Sequence, residues 1–310
     1  MREPEPSANE NQTNWAAIVG RWSFSGLQAI YLGPDPESPP SVLPFGICVT
    51  NFQLTEGKIS CRVKLPDSGS EGRPLLGYRS PDERYVMAGI GGWNRAYTVG
   101  ERDPTLGWRG LAGAGRADNL STGRWYSQTV ELNGQRVRVS VDNVPVLQHV
   151  LDRPLIRGQV GLFAVGTNQV EFDNFTVDRQ QGEVFVVMEF GGVYQQLYDE
   201  VIKPIVKKCN LRAYHAGEVF RPGLILQDII QGIIEAEIII ANITPRNENV
   251  FYELGYAHAL GKPTVLLADR EKELPFDVHG YRVLFYDNTI AGKKQIEDGL
   301  ERHLRAILDE

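Results

Sequence analysis

From Gly20 to about Asp178, apolar and polar residues alternate with a period of two, in short runs. Ile59-Cys61-Val63, Val130-Leu132, Val137-Val139-Val141 and Val170-Phe172-Phe175 mark strands with one face inward, because successive side chains of an extended chain point to opposite sides. Gly, Asp, Asn and Pro separate the runs. Asn133-Gly134, between the run ending at Leu132 and the run starting at Arg136, suits the positive φ angles of a two-residue hairpin turn. Regularly spaced strands without a helical stretch predict a β-sandwich.

After Gln180-Gln181-Gly182 the periodicity changes. Strands are expected at Glu183 to Phe190, Leu211 to His215, Ala236 to Asn242, Thr264 to Ala268 and Tyr281 to Tyr286. Helices are expected at Val193 to Lys208, Leu224 to Glu235, Asn249 to Leu260 and from Lys293 onward. Near-continuous apolar strands alternating with helices predict a parallel sheet covered on both faces, a doubly wound α/β domain. Five strands suit the flavodoxin-like order two-one-three-four-five, in which ligands bind beyond the carboxyl ends of the strands at the switch point. That point lies between the first and third strands and sets Phe190-Gly191-Gly192 beside the segment Thr244 to Glu253. The expected organisation is a disordered lead over residues 1–14, an all-β domain over 15–178 and the α/β domain over 179–310.

A chain of 310 residues with 42% hydrophobic content can supply a core for each domain. The net charge of -7 argues against nucleic acid or anionic lipid as a partner. The start, MREPEPSANENQTNW, is polar and reads as a lead rather than a signal peptide. No run approaches the roughly 20 apolar residues of a membrane span, so a soluble cytoplasmic protein is expected. Cys48 and Cys61 read as one hairpin turning at Glu56-Gly57, which would set Cys48 opposite Leu65 and leaves no disulfide. No Cys or His spacing resembles a metal site.

Glu253 stands in the second turn of its helix, four residues after Asn249, so the two share a face towards the strand ends. A carboxylate near the positive end of a helix is expected to stay ionised. Below a ribose C1' it can attack, or stabilise an oxocarbenium-like transition state. Gly191-Gly192 can admit a phosphate to backbone N–H groups or form an ordinary tight turn. Arg246 can pair with phosphate or with Glu248, and Tyr252 and Tyr256 can stack on a base or fill the core. His258 is offset around the helix from Glu253 and reads as packing or capping.

In the first half, Arg124 to Val130 beginning at Trp125, the Asn133-Gly134 turn, Val137 to Asp142, Gly158-Gln159-Val160-Gly161-Leu162 and Phe172-Asp173-Asn174 form a succession that resembles the concanavalin A-like, laminin G-like jelly rolls. The resemblance implies a binding, sensing or assembly module, with carbohydrate as one possible ligand. Trp93, Tyr97, Trp108 and Arg109 would suit an aromatic sugar platform, whereas Trp22, Trp93, Trp108 and Trp125 can equally fill the sandwich interior. No paired carboxylates mark a glycosidase there.

In the second half, Asn247-Glu248-Asn249-Val250-Phe251-Tyr252-Glu253-Leu254-Gly255-Tyr256-Ala257 is similar to the motif N-x-N-V-x-Y-E-L-G-x-A of TIR-like and nucleoside 2-deoxyribosyltransferase-like domains, and the similarity runs from Glu183 to about Tyr286. In that family the helix glutamate works at the anomeric carbon of a nucleoside or of NAD, a role that falls here to Glu253. Asn242 stands in place of the usual Asp and Glu189 in place of a common Pro. The resemblance implies an NAD-consuming N-glycosidase, a glycohydrolase or cyclase of the kind found in bacterial antiviral defence. NAD would be substrate rather than cofactor, and the protein a homo-oligomer. The alternatives are a nucleoside or nucleotide deoxyribosyltransferase or N-glycosidase, and a non-catalytic nucleotide sensor. Substrate contacts are expected from Phe190, Gly191, Gly192, Tyr194, Asn242, Thr244, Arg246, Asn247, Asn249, Tyr252 and Asp277, with Tyr252, Tyr194 or Asp277 as donor to a leaving base.

Overall fold

The computed structural model describes residues 13–37, 43–218, 225–270 and 282–309. The expected lead, residues 1–14, falls largely outside them. Fourteen strands come first: β1 (Trp15–Val19), β2 (Arg21–Ser25), β3 (Gln28–Gly33), β4 (Phe45–Leu54), β5 (Gly57–Lys64), β6 (Glu71–Tyr78), β7 (Tyr85–Ile90), β8 (Tyr97–Asp103), β9 (Gly107–Ala114), β10 (Trp125–Asn133), β11 (Arg136–Val141), β12 (Val144–Val150), β13 (Gly158–Val165) and β14 (Val170–Arg179). They form two antiparallel seven-stranded sheets, ordered β1-β4-β13-β6-β7-β8-β9 and β12-β11-β10-β5-β14-β3-β2. This is a jelly-roll sandwich. Tyr31, Ile59, Val63, Leu76, Phe172 and Phe175 fill the space between the sheets and are all but inaccessible. Each such side chain contributes roughly 1.5–3 kcal/mol by leaving water.

The hairpin expected from Asn133-Gly134 forms, with Asn133 paired to Arg136. The hairpin expected at Glu56-Gly57 does not, because β4 and β5 belong to different sheets. Cys48 lies opposite Ala17 and Leu162, and Cys61 opposite Gln128. Alternation reads the same whether a turn returns the chain to its own sheet or carries it across to the other. All three cysteines are buried and free.

The second body contains β15 (Glu183–Val187), α1 (Gly192–Leu197), α2 (Lys203–Lys208), β16 (Arg212–Tyr214), α3 (Ile225–Glu235), β17 (Ile238–Asn242), α4 (Glu248–Ala259), β18 (Thr264–Asp269), β19 (Val283–Tyr286) and α5 (Ile290–Asp309). A π-helical turn, Tyr198–Ile202, joins α1 to α2. The parallel sheet is ordered β16-β15-β17-β18-β19, the two-one-three-four-five order. Every residue of β17 is buried, since helices cover both sides. Tyr198, Ile202, Ile296 and Leu300 pack on one face, and Ile233, Val250, Leu254 and Ala257 on the other. Elements begin or end within a few residues of the expected positions; α5 starts at Ile290 rather than Lys293. Among the described residues no helix is long and apolar enough to cross a membrane.

The two bodies meet where the β10–β11 turn presses on the carboxyl ends of α3 and α4. Arg136 Nε reaches Glu235 at 3.1 Å and its Nη2 reaches Gln231 Oε1 at 2.6 Å.

Candidate active site

Asn247 begins α4. Its extended backbone (φ -135°, ψ 125°) lets the side-chain oxygen accept from the N–H groups of Asn249 and Val250, at 2.9 and 3.4 Å. These are donors that a helix start otherwise leaves open. The Asn247 amide in turn donates to Glu189 Oε2 at 3.1 Å, tying the helix start to the segment that follows β15. Val250, Leu254 and Ala257 seat α4 on the sheet. Glu253, three residues after Val250, therefore sits on the flank of that buried stripe, a full turn after Asn249.

Glu253 is half-buried, and among the described residues no hydrogen bond or ion pair reaches it. Burial alone pushes its carboxyl up to about 7. The expectation of a readily ionised carboxylate is thereby corrected: the positive helix end acts over the first turn, and Glu253 is in the second, where loss of water outweighs it.

Asn242 and Thr244, expected to touch substrate, are 1% and 2% exposed. Thr244 Oγ1 and the Tyr286 hydroxyl both donate to Asn242 Oδ1, each at 3.3 Å. Thr244 Oγ1 also accepts from the Asp269 N–H at 2.8 Å. This network fastens the carboxyl ends of β17, β18 and β19 from below. The Asn242 amide nitrogen is buried without a partner.

Phe190 stacks on His215, with ring centres 3.7 Å apart, and meets Tyr198 edge-on. Gly191 and Gly192 (φ 134° and 51°) form an exposed turn in which an added Cβ would meet nothing within 4 Å. Their backbone angles, rather than crowding, call for glycine. Tyr194 lines a cavity of about 140 Å³ with Tyr286, Asp269, Thr289 and Lys293. Burial, followed by Tyr286, Asp269 and Glu189, holds the Tyr194 hydroxyl above its usual range. Arg246 and Asn249 are exposed, and Arg246 forms no ion pair with Glu248. Tyr252 is exposed, Tyr256 packs partly against the core under α4, and His258 is half-buried. Asp277 lies outside the described residues.

Glu189 and Asn247 thus meet at the switch point, Glu253 follows in the second turn of α4, and Tyr194 lies at the neighbouring cavity. Tyr286 and Asp269 were not expected, yet each closes a strand at its carboxyl end, the place where such sheets carry ligands. A larger cleft, about 460 Å³ and lined by Glu56, Asn133, Arg212 and Asp228 among others, opens between the two bodies and contains none of the expected residues. Among the described residues no His, Cys, Asp and Glu group could hold a metal ion.

On the sandwich, Trp93 and Trp108 lie on the outer face of the first sheet, 43% and 38% exposed. Trp93 lies over Gly100 and Gly110, where an added Cβ would come within 2.2 and 3.0 Å of the ring. The Arg73 guanidinium stands 5.0 Å from the ring centre. Trp108 packs edge-on against Phe45 and Tyr85. Tyr97 and Arg109 do not join them: Tyr97 packs inward, and Arg109 alternates with Trp108 and pairs with Glu101 at 3.2 Å. Trp22 is in the interior with Tyr31 and Phe172, and Trp125 carries the Arg62 guanidinium on the other sheet.

No protein-family model matches the sequence, and no curated protein matches it. Among solved structures, the chain is similar to the carbohydrate-binding module CBM66 from Bacillus subtilis, at 16% identity over 54% of this chain and 97% of that one, with a TM-score of 0.44. It is also similar to the TIR domain of the Toll-related receptor TRR-2 from Hydra magnipapillata, at 13% identity over 39% and 97% with a TM-score of 0.33. A third is the Caenorhabditis elegans galectin LEC-6, at 16% identity over 48% and 95% with a TM-score of 0.32.

Proposed function

We propose that the α/β domain is a TIR-like N-glycosidase that consumes NAD, with Glu253 acting at the ribose C1'. The observation that carries the reading is the setting of Glu253: a half-buried carboxyl without a countercharge, in the second turn of α4. A cation developing at C1' would supply the missing charge, and in a desolvated setting that attraction is strong. The C1'–N bond breaks with its electron pair passing to the pyridinium nitrogen, so nicotinamide leaves neutral and no general acid is required. Water completes hydrolysis, and an attack from the adenine ring would complete cyclisation. Glu189, where the resemblance expects proline, anchors Asn247 and so holds the start of the glutamate's helix.

Glu253→Gln keeps the side-chain volume and removes the charge. Nicotinamide release is expected to fall about a hundredfold or more, the scale of one electrostatic group in a transition state, at unchanged circular dichroism. Equal cleavage by wild type and variant would remove Glu253 from the mechanism. Base release from deoxynucleosides but not from NAD would favour the deoxyribosyltransferase alternative.

For the sandwich, the paired exposure of Trp93 and Trp108 on one face favours a carbohydrate-binding role, since sugar C–H faces stack on aromatic rings. Trp93→Ala should abolish retention on a glycan array that retains the wild type. A wild type that binds no glycan would end that reading.

A further inference from the structure

The last four carbonyls of a helix have no donor within it and need one from elsewhere. At the ends of α3 and α4 the sandwich provides donors. The Gln135 backbone N–H donates to Ile234 O at 3.0 Å, and its side-chain amide donates to Leu260 O at 3.1 Å and to Leu151 O, within the sandwich, at 3.0 Å. Gln135 is fully buried. On its other side Ile234 O also accepts from Lys262 Nζ at 2.8 Å.

The approach leaves no slack. An added Cβ on Gly134 would come within 2.4 Å of Ile234 O and 2.6 Å of Glu235 O, and the residue's φ of 54° already favours glycine. The buried Glu56, in the β4–β5 connection, accepts from the Gly134 N–H at 3.2 Å and fixes the turn from the sandwich side of the junction. Arg136 adds its contacts to Glu235 and Gln231. Three successive residues of one turn therefore engage the second body.

We infer that Gln135 is a positioning residue for Glu253: the sandwich hairpin clamps the carboxyl end of α4, as Asn247 and Glu189 clamp its start. This rests on the proposed role of Glu253. Seven residues, about two helical turns, separate Glu253 from Leu260, and a short helix moves as one piece, so freedom at its end becomes tilt at the carboxyl. The sandwich is then part of the catalytic frame, and a ligand that shifts the hairpin shifts Glu253.

The test uses the full chain and hydrogen exchange at the amides of Leu260, Gly261 and Lys262, which close the last turn of α4. Gln135→Leu keeps volume and removes the side-chain donor; Gln135→Asn, too short to reach Leu260 O, serves if the leucine variant does not fold. Exchange at these amides should rise about tenfold, the factor corresponding to one lost hydrogen bond, with the sandwich strands unchanged. Nicotinamide release should lose about fivefold in kcat at constant KM, because orientation and not binding is affected. Arg136→Leu should loosen the end of α3, at Ala236, and leave 260–262 protected. Wild-type exchange at 260–262 in both Gln135 variants, or equal loosening there in Arg136→Leu, would overturn the clamp. A wild type that does not cleave NAD would instead sink the proposed reaction, while the exchange comparison still decides the clamp.

Discussion

Glu253 carries a cost that an exposed carboxyl would not. Its carboxyl, near 4.5 in an unfolded chain, stands at about 7 in the fold because burial disfavours the charge. Between those values the folded state holds more protons than the unfolded one, so this group lowers stability as pH rises from about 4.5 to 7, and the loss persists above that. Glu253→Gln is therefore expected to melt later than wild type at pH 8 and together with it at pH 4. After discounting for partial exposure the gain is about 1–2 kcal/mol. The proposed catalysis runs the other way: its reactive form is the ionised one, so kcat/KM for base release should climb with pH through an apparent pKa near 7. A flat profile from pH 5 to 9 would contradict the assignment. The place of Glu253 on a helix was legible in the sequence because motif and helical spacing are local. Its protonation was not, since burial depends on which neighbours the fold assembles. The same gap applies to Asn242 and Thr244, whose place near the switch point suggested substrate contact and whose side chains are buried in the network that joins the strand ends.

At the scale of elements, α4 is the informative one. Its extent was expected from Asn249 to Leu260, within a residue of the helix found, whereas the capping by Asn247 emerged only in the structure. The link from Asn247 to Glu189 was beyond reach, because residues 58 positions apart meet only through the parallel pairing of β15 and β17. The two functions of Asn247 can be separated. Asn247→Asp keeps the capping oxygen but sets a carboxylate against Glu189. A loss of about 1 kcal/mol in urea unfolding is expected, reversed by adding Glu189→Gln. If the double variant is no more stable than Asn247→Asp, the link contributes nothing. In the sandwich, the Asn133-Gly134 hairpin was legible as turn chemistry, whereas the crossing at Glu56-Gly57 was misread, since a turn's residues do not specify which sheet the next strand joins. Tyr97 and Arg109 failed as platform members for a related reason: strand alternation sends them to the opposite face from Trp108, with a β-bulge between Val99 and Gly100 shifting the register.

At the scale of the molecule, two periodicities predicted two bodies, and both architectures are present. The proposed division at residue 178 cuts β14, which continues to Arg179 opposite Gly57. What composition and periodicity did not reveal is how closely the bodies are joined. Lys262, 5% exposed, donates to Ile234 O and Ala236 O, and burial pulls its amine down to about 7 despite the nearby Glu56 and Glu237. Burial likewise pushes Glu56 up to about 9. Groups brought together from residues 56, 237 and 262 have no signature in any local window of sequence.

The closeness of Gly134 to α3 also determines where this protein can be lengthened. Hairpin tips are ordinarily the safest places to splice in a tag or a guest domain. Here the tips at Gly26 and Gly107 have nothing within 4 Å of an added Cβ, and Val144, beside the Asp142-Asn143 turn, is 58% exposed. Those three sites can accept an epitope insertion facing solvent. The Asn133-Gly134 tip, the strongest turn signal in the chain, cannot: a guest there would have to occupy the volume of the α3 backbone, prising one half of the protein off the other.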